Sequence, residues 1–185
     1  MKNFYITSHF PLISILFFSL AFSVYTERLV TGYLQEIGLY SGMVEFFSEQ
    51  GIVLALVGVL WIFFFMLFAA LKLIADTVNE LSLLFFSKEE EGVDIRVLRG
   101  GSWIFLIAGI LSLPSVLDIR LLAGVFAAAC FSYFVFFVYR VSPHVRLGPL
   151  IGLMFFHLLF WLVFVSAIGF LLLRLYSAVL ASLPV

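Results

Sequence analysis

From Gly51 to Ala75 the chain reads GIVLALVGVLWIFFFMLFAALKLIA, 25 residues with one charge, Lys72, near the far end. A helix of that length rises about 37 Å, enough to cross a hydrocarbon layer of about 30 Å with some tilt. The run is apolar on every helical face, so no side of it is suited to water, and only a helix can satisfy its backbone amides in lipid.

The rest of the sequence extends this reading in both directions. Of the 185 residues 64% are hydrophobic and 11% are charged, and the mean hydropathy is +1.23, whereas a soluble domain is about half apolar and about a quarter charged. Upstream, about Thr7–Thr26 forms a first span, with Pro11 in the first turn, where its missing N–H does little harm. Downstream lie a short span at about Gly101–Leu117 carrying Pro114, a fourth at Leu121–Val141 and a fifth at Gly148–Leu173, closed by Arg174. The spacing predicts an all-α polytopic bundle of about five transmembrane helices in a single membrane domain over 1–185. The tail, Leu175–Val185, is too short to cross again. A cleaved signal peptide is the alternative for the first span, since Ala21 and Ser23 have small-x-small spacing behind Lys2, but Phe22, Val24 and Tyr25 continue the helix with no polar region before them.

Two segments outside the spans are amphipathic. In 29–48, Val30, Tyr33, Leu34, Ile37, Tyr40, Val44 and Phe47 recur at helical spacing between Glu36, Glu45 and other polar residues. Carrying such a carboxylate to the bilayer centre would cost about 2.5–3.5 kcal/mol, so an interfacial helix is expected there. After the second span, Leu71, Ile74, Val78, Leu81 and Phe85 form an apolar stripe opposite Lys72, Asp76, Asn79 and Glu80. This predicts a cytoplasmic helical extension, followed by the acidic loop Lys88-Glu89-Glu90-Glu91-Gly92 within 76–100. From Glu90-Glu91 to Arg96 is one residue too long for the Glu-Glu-x-x-x-Arg pattern of intramembrane prenyl-protein proteases, and the segment is polar, which rules that chemistry out. With the N-terminus cytoplasmic, the inner side holds Lys2, Lys72, Lys88, Arg96, Arg99, Arg140 and Arg146 and the outer side Arg28, Arg120 and Arg174, so seven of ten basic residues lie inside.

Membrane helices associate through close approach at small residues. Gly51, Ala55, Gly58 and Ala69 mark one such face, and Gly101, Ala108 and Ser112 another. Gly124, Ala128 and Ser132 recur at four-residue steps, and Gly148, Gly152, Ser166 and Gly169 form a related face on the last span. These are expected packing seams within the bundle, with a homodimer contact as the alternative. The third and fourth spans, joined by Pro114–Arg120, are expected to form an antiparallel hairpin with Asp118 and Arg120 at the outer surface, where an ion pair is worth little.

Among functional candidates, His157 is the one ionisable residue well inside a predicted span, and it lies about 180° around the helix from Gly148 and Ser166. It faces either a second interface or a local partner near lipid. Glu27 and Arg28, at the end of the first span, either stop that helix or join Arg120 or Arg174 in an outward-facing cluster. His9 and His144 lie at span ends, so bis-histidine haem ligation lacks a second intramembrane ligand. Cys130 is the single cysteine, which excludes an internal disulfide and a cysteine metal cluster. No glycine-rich phosphate loop, His-Glu-x-x-His or Gly-x-Ser-x-Gly motif occurs. A net charge of −1 offers no basic surface for nucleic acid. No catalytic residue, cofactor or metal is therefore expected.

The opening Met1-Lys2-Asn3-Phe4-Tyr5-Ile6-Thr7, followed by Phe10-Pro11-Leu12 and Tyr25-Thr26-Glu27, resembles the YufK-type small membrane proteins of Bacillus-type bacteria. That resemblance implies a bacterial inner-membrane location and supplies no activity or site. In size the chain is also similar to the substrate-binding subunits of energy-coupling-factor vitamin transporters, but their alanine-rich docking pattern in the first helix is absent, Ser19, Ala21 and Ser23 being the small residues there. The expected function is a non-enzymatic accessory or scaffold subunit, whose partners are the lipid bilayer and a larger membrane complex or a second copy. The alternative is a small-solute or ion transporter, or the substrate-binding membrane subunit of one.

Overall fold

The computed structural model describes residues 9–86 and 99–182, and within them the chain is all-α, as expected. Six α-helices follow in order: α1 (Phe10–Glu36), α2 (Leu39–Phe46), α3 (Glu49–Phe86), α4 (Ser102–Ser112), α5 (Ile119–Val141) and α6 (Leu147–Ser182). Short 3-10 turns at Arg99–Gly101, Pro114–Leu117 and Ser142–His144 join the later helices. The acidic loop Lys88–Gly92 and Arg96 lie outside the described residues.

Four of these helices, α1, α3, α5 and α6, are long and apolar enough to cross a membrane. The span expected at 101–117 is the shorter α4, 11 residues, with a 3-10 turn at each end. Proline at 114 has no N–H to continue the α-helical ladder, so the chain tightens into the Pro114–Leu117 turn. At 1.5 Å per α residue and 2.0 Å per 3-10 residue, the path from Arg99 to Leu117 measures roughly 30 Å.

Two boundaries differ from the sequence reading. The first helix does not stop at Thr26: it continues through Glu27 and Arg28 to Glu36. Glu27 does not terminate it because the carboxylate accepts a hydrogen bond from the Thr31 hydroxyl one turn on, at 2.8 Å. The break comes instead at Gly38, whose φ of +75° is open to glycine and strained for other residues. The expected interfacial helix over 29–48 is thus divided, with 29–36 belonging to α1 and Leu39–Phe46 forming the eight-residue α2. At the other end, α6 continues past Arg174 to Ser182, since nothing in Leu175-Tyr176-Ser177-Ala178 breaks a helix.

By packing, the chain divides into two units, Met1–Asp76 with Asp94–Arg140 and Thr77–Val93 with Val141–Val185. In the first, α1 is the central helix. Phe18, Phe68, Ala108 and Ala129 form the buried core, drawn from α1, α3, α4 and α5. The Phe18 and Phe126 rings meet edge-on at 5.4 Å, and Phe68 lies 5.2 Å from Phe126 and 5.3 Å from Phe22. Pairing of Phe18 with Phe68 and of Phe22 with Phe64 sets α1 antiparallel to α3. Pairing of Phe10 with Trp103, and of Ser14 and Phe17 with Gly109, sets α4 parallel to α1. The expected α4–α5 hairpin forms, with Tyr133 against Phe105 and against Gly101. At the tip Asp118 Oδ1 accepts the Arg120 backbone N–H at 2.8 Å, an N-cap for α5.

The α1–α4 contact sets a test. A Cβ on Gly109 would lie 3.3 Å from Phe17 Cβ and 3.4 Å from the Ser14 backbone, whereas one on Gly124 meets nothing within 4 Å. Gly109→Val is expected to cost about 1–3 kcal/mol by overpacking, and Gly124→Val less than about 0.5 kcal/mol. Thermal unfolding of the two variants in one detergent measures the difference.

Candidate functional site

In the second unit the C-terminal part of α3 runs antiparallel to α6, and the contact is built around His157. The ring is 3% exposed. Its Nδ1 is 3.0 Å from the Leu153 carbonyl one turn back on α6, and its Nε2 is 3.1 Å from Oδ1 of Asn79 on α3. A carbonyl only accepts, so Nδ1 carries a proton. With the Asn79 oxygen also facing the ring, both nitrogens donate, as in the imidazolium; turning the carboxamide over presents its NH₂ and suits the neutral ring. Either way the polar atoms of His157 are satisfied by the protein, which is what a hydrocarbon surrounding requires. Ser82, fully buried one turn beyond Asn79, donates to the Asn79 carbonyl at 2.8 Å. Around this cluster pack Leu153, Phe156, Phe86 and Val78.

The buried face of the α3 extension therefore differs from the expected one. Of the apolar stripe Leu71, Ile74, Val78, Leu81 and Phe85, Val78 is buried while Leu81 and Phe85 are exposed, and Ser82 and the Asn79 contact come from beside it. The reason is reciprocal satisfaction: His157 needs a polar neighbour, and Asn79 is the residue that reaches it. Neither signal was readable alone, because Asn79 is separated from His157 by 78 residues.

On α6 the expected seam is also re-sorted. Gly148 and Ser166 are exposed, and Gly148 and Gly169 have nothing within 4 Å of an added Cβ. Gly152 is the member that packs, since a Cβ there would lie 2.6 Å from the Phe86 ring. On α5, Gly124, Ala128 and Ser132 all face outward. The inward stripe is Leu122, Ala129 and Phe137, spaced seven and eight residues apart.

The first unit holds the other candidates. Glu27 is 7% exposed and Arg28 is exposed beside it. The cluster expected with Arg120 does not form: the carboxylate's partner is Thr31, and among the described residues Lys72–Asp76 is the ion pair that forms. Ser23 and Ser19, one and two turns before Glu27, are fully buried, and the Trp61 indole N–H donates to Ser19 Oγ at 3.0 Å. Sequence reading passed over this polar line, although Ser19, Ser23, Glu27 and Thr31 fall at uniform four-residue steps. His9 is exposed just before α1 and His144 is exposed in the Ser142–His144 turn. Among the described residues no group of three or more His, Cys, Asp or Glu could hold a metal ion.

The His157–Asn79 contact is expected to register in a double-mutant cycle. His157→Leu and Asn79→Leu should each destabilise the protein, and together cost less than the sum, with a coupling of about 0.6–1.7 kcal/mol, the range for hydrogen bonds between membrane helices. Unfolding in detergent of the wild type, the two single variants and the double variant gives this number.

Comparison with known proteins agrees with the reading in kind. No solved structure matches the chain. The chain is 45% identical over 185 residues to the uncharacterized membrane protein YufK of Bacillus subtilis (strain 168), covering all of both chains; the resemblance noted in the first span thus runs the whole length. A model of a family of unknown function, DUF5366, matches residues 26–184. The protein is a membrane protein with several apolar helices, and it belongs to the DUF5366 family.

Proposed function

We propose that the protein is a non-enzymatic accessory or scaffold subunit of the bacterial plasma membrane that packs beside the transmembrane helices of a larger complex. The observation that supports this reading is the row Gly124, Ala128 and Ser132 on the outward face of α5. Small residues four apart allow another helix backbone to come close, and a Cβ on Gly124 would meet nothing within 4 Å. The polar chemistry points the same way. Among the described residues no buried side-chain nitrogen or oxygen lacks a hydrogen-bond partner, so the interior offers few groups for a substrate. A groove of about 430 Å³ along α6 is lined entirely by apolar side chains, Phe156, Leu159, Phe160, Val163, Phe164 and Ala167, whereas substrate pockets carry convergent polar groups. The positive-inside bias, seven of ten basic residues, supports a cytoplasmic N-terminus and an external C-terminus.

Affinity capture of the tagged chain from its native membrane in mild detergent is expected to bring down a stoichiometric membrane partner. The double variant Gly124→Leu, Ala128→Leu should lose that partner while keeping the wild-type unfolding temperature. A wild-type chain recovered as a monodisperse monomer, or a double variant that captures as well as the wild type, contradicts the proposal.

A further inference from the structure

We propose that Glu27, with the hydroxyl oxygens of Ser23 and Thr31, forms a binding site for a monovalent cation, sodium in particular. Independently of the partner face on α5, the site lies on α1 in the first packing unit. Its starting point is an imbalance of charge. Glu27 is more than nine-tenths buried, yet among the described residues no lysine or arginine comes within ion-pair distance, and its hydrogen-bond partner is the neutral Thr31 hydroxyl on the same helix. A bound cation would supply the counter-charge that the described residues do not.

The surroundings favour a small, hard, singly charged ion. Ser23 lies one turn before Glu27 and Thr31 one turn after, so the three oxygen-bearing side chains share one face of α1. Ser23 Oγ gives its proton to the Leu20 carbonyl at 2.8 Å, which leaves its lone pairs free to ligate. Carboxylate and hydroxyl oxygens are ligands for hard cations. One carboxylate balances one positive charge, and no second acidic, histidine or cysteine side chain joins it among the described residues to form a divalent-metal site. Thr31 Oγ1 donates to Glu27 Oε1 at 2.8 Å, which places this hydroxyl oxygen beside the carboxylate.

The position allows access. Glu27 lies roughly 26 Å along α1 from Phe10, near the far edge of a hydrocarbon layer entered at Phe10. Beyond it Arg28, Leu29, Tyr33, Gln35 and Glu36 are exposed. In the other direction along the polar line, Ser19 accepts the Trp61 indole N–H at 3.0 Å.

The test is thermal unfolding of the purified full-length protein in mild detergent, with sodium chloride replacing choline chloride at constant ionic strength. The wild type is expected to show a saturable rise in Tm, roughly 3–6 °C at tenfold excess over the Kd. Glu27→Gln should remove the rise, and Thr31→Val should move its midpoint to higher sodium. If Glu27→Gln does not fold, Glu27→Asp together with Thr31→Val carries the test through their midpoints. A wild-type Tm that is the same in sodium and choline, a sodium response that survives in Glu27→Gln, or midpoints unmoved in Glu27→Asp and Thr31→Val overturns the site. So does stabilisation by acidification alone with no sodium effect.

Discussion

Within hydrocarbon a polar group has no water to fall back on, and each must be answered by another part of the same chain. Along α1, Ser14, Ser19 and Ser23 return their hydroxyl protons to the carbonyls of Phe10, Leu16 and Leu20. Ser82 and Ser112 do the same for Asn79 and Gly109. These back-bonds let small polar residues occupy close-packed positions without cost in unpaired donors, and Ser14, Ser19 and Ser23 are all buried on α1. His157 cannot be satisfied by its own helix alone: one nitrogen goes to Leu153, and the other reaches across to Asn79. That single requirement fixes which face of the α3 extension packs.

The second organising feature is the pairing of small with large. Gly101 receives Tyr133, Gly109 lies against Ser14 and Phe17, and Gly152 receives Phe86. In each case the glycine is half of the contact and an aromatic ring or a neighbouring backbone is the other half. Phenylalanine, at 24 residues, supplies most of the larger halves, and the linked rings of Phe18, Phe22, Phe64, Phe68 and Phe126 are the result in the first unit. Where no lipid-driven attraction exists between helices, such interlocking is the main source of specificity.

What was legible in the sequence follows from these two features. Composition and run length gave the all-α class and the approximate places of α3, α5 and α6, because lipid burial is written in every residue of a span. The end of α1 was not legible, because Glu27 looks like a boundary charge until Thr31 is seen to bond it. The interfacial helix was misplaced because periodicity does not mark the left-handed conformation at Gly38. His157 was recognised as important from its depth alone, but Asn79 was not, since a hydrogen bond between distant segments leaves no local trace. The row Gly124, Ala128, Ser132 was identified as a seam, yet small-residue spacing does not say whether the partner is in the same chain.

Cys130 provides the most direct check on the lipid environment. It is the single cysteine of the chain, lies at the midpoint of α5 (Ile119–Val141), and is exposed on the protein surface. A thiol so placed reacts readily with a water-soluble maleimide if water surrounds the helix. In sealed native membranes the thiol is expected to stay unlabelled and to react fully once the protein is denatured in detergent. Rapid labelling in the intact membrane would contradict a transmembrane α5 and, with it, the hydrocarbon surroundings on which the rest of the structure depends.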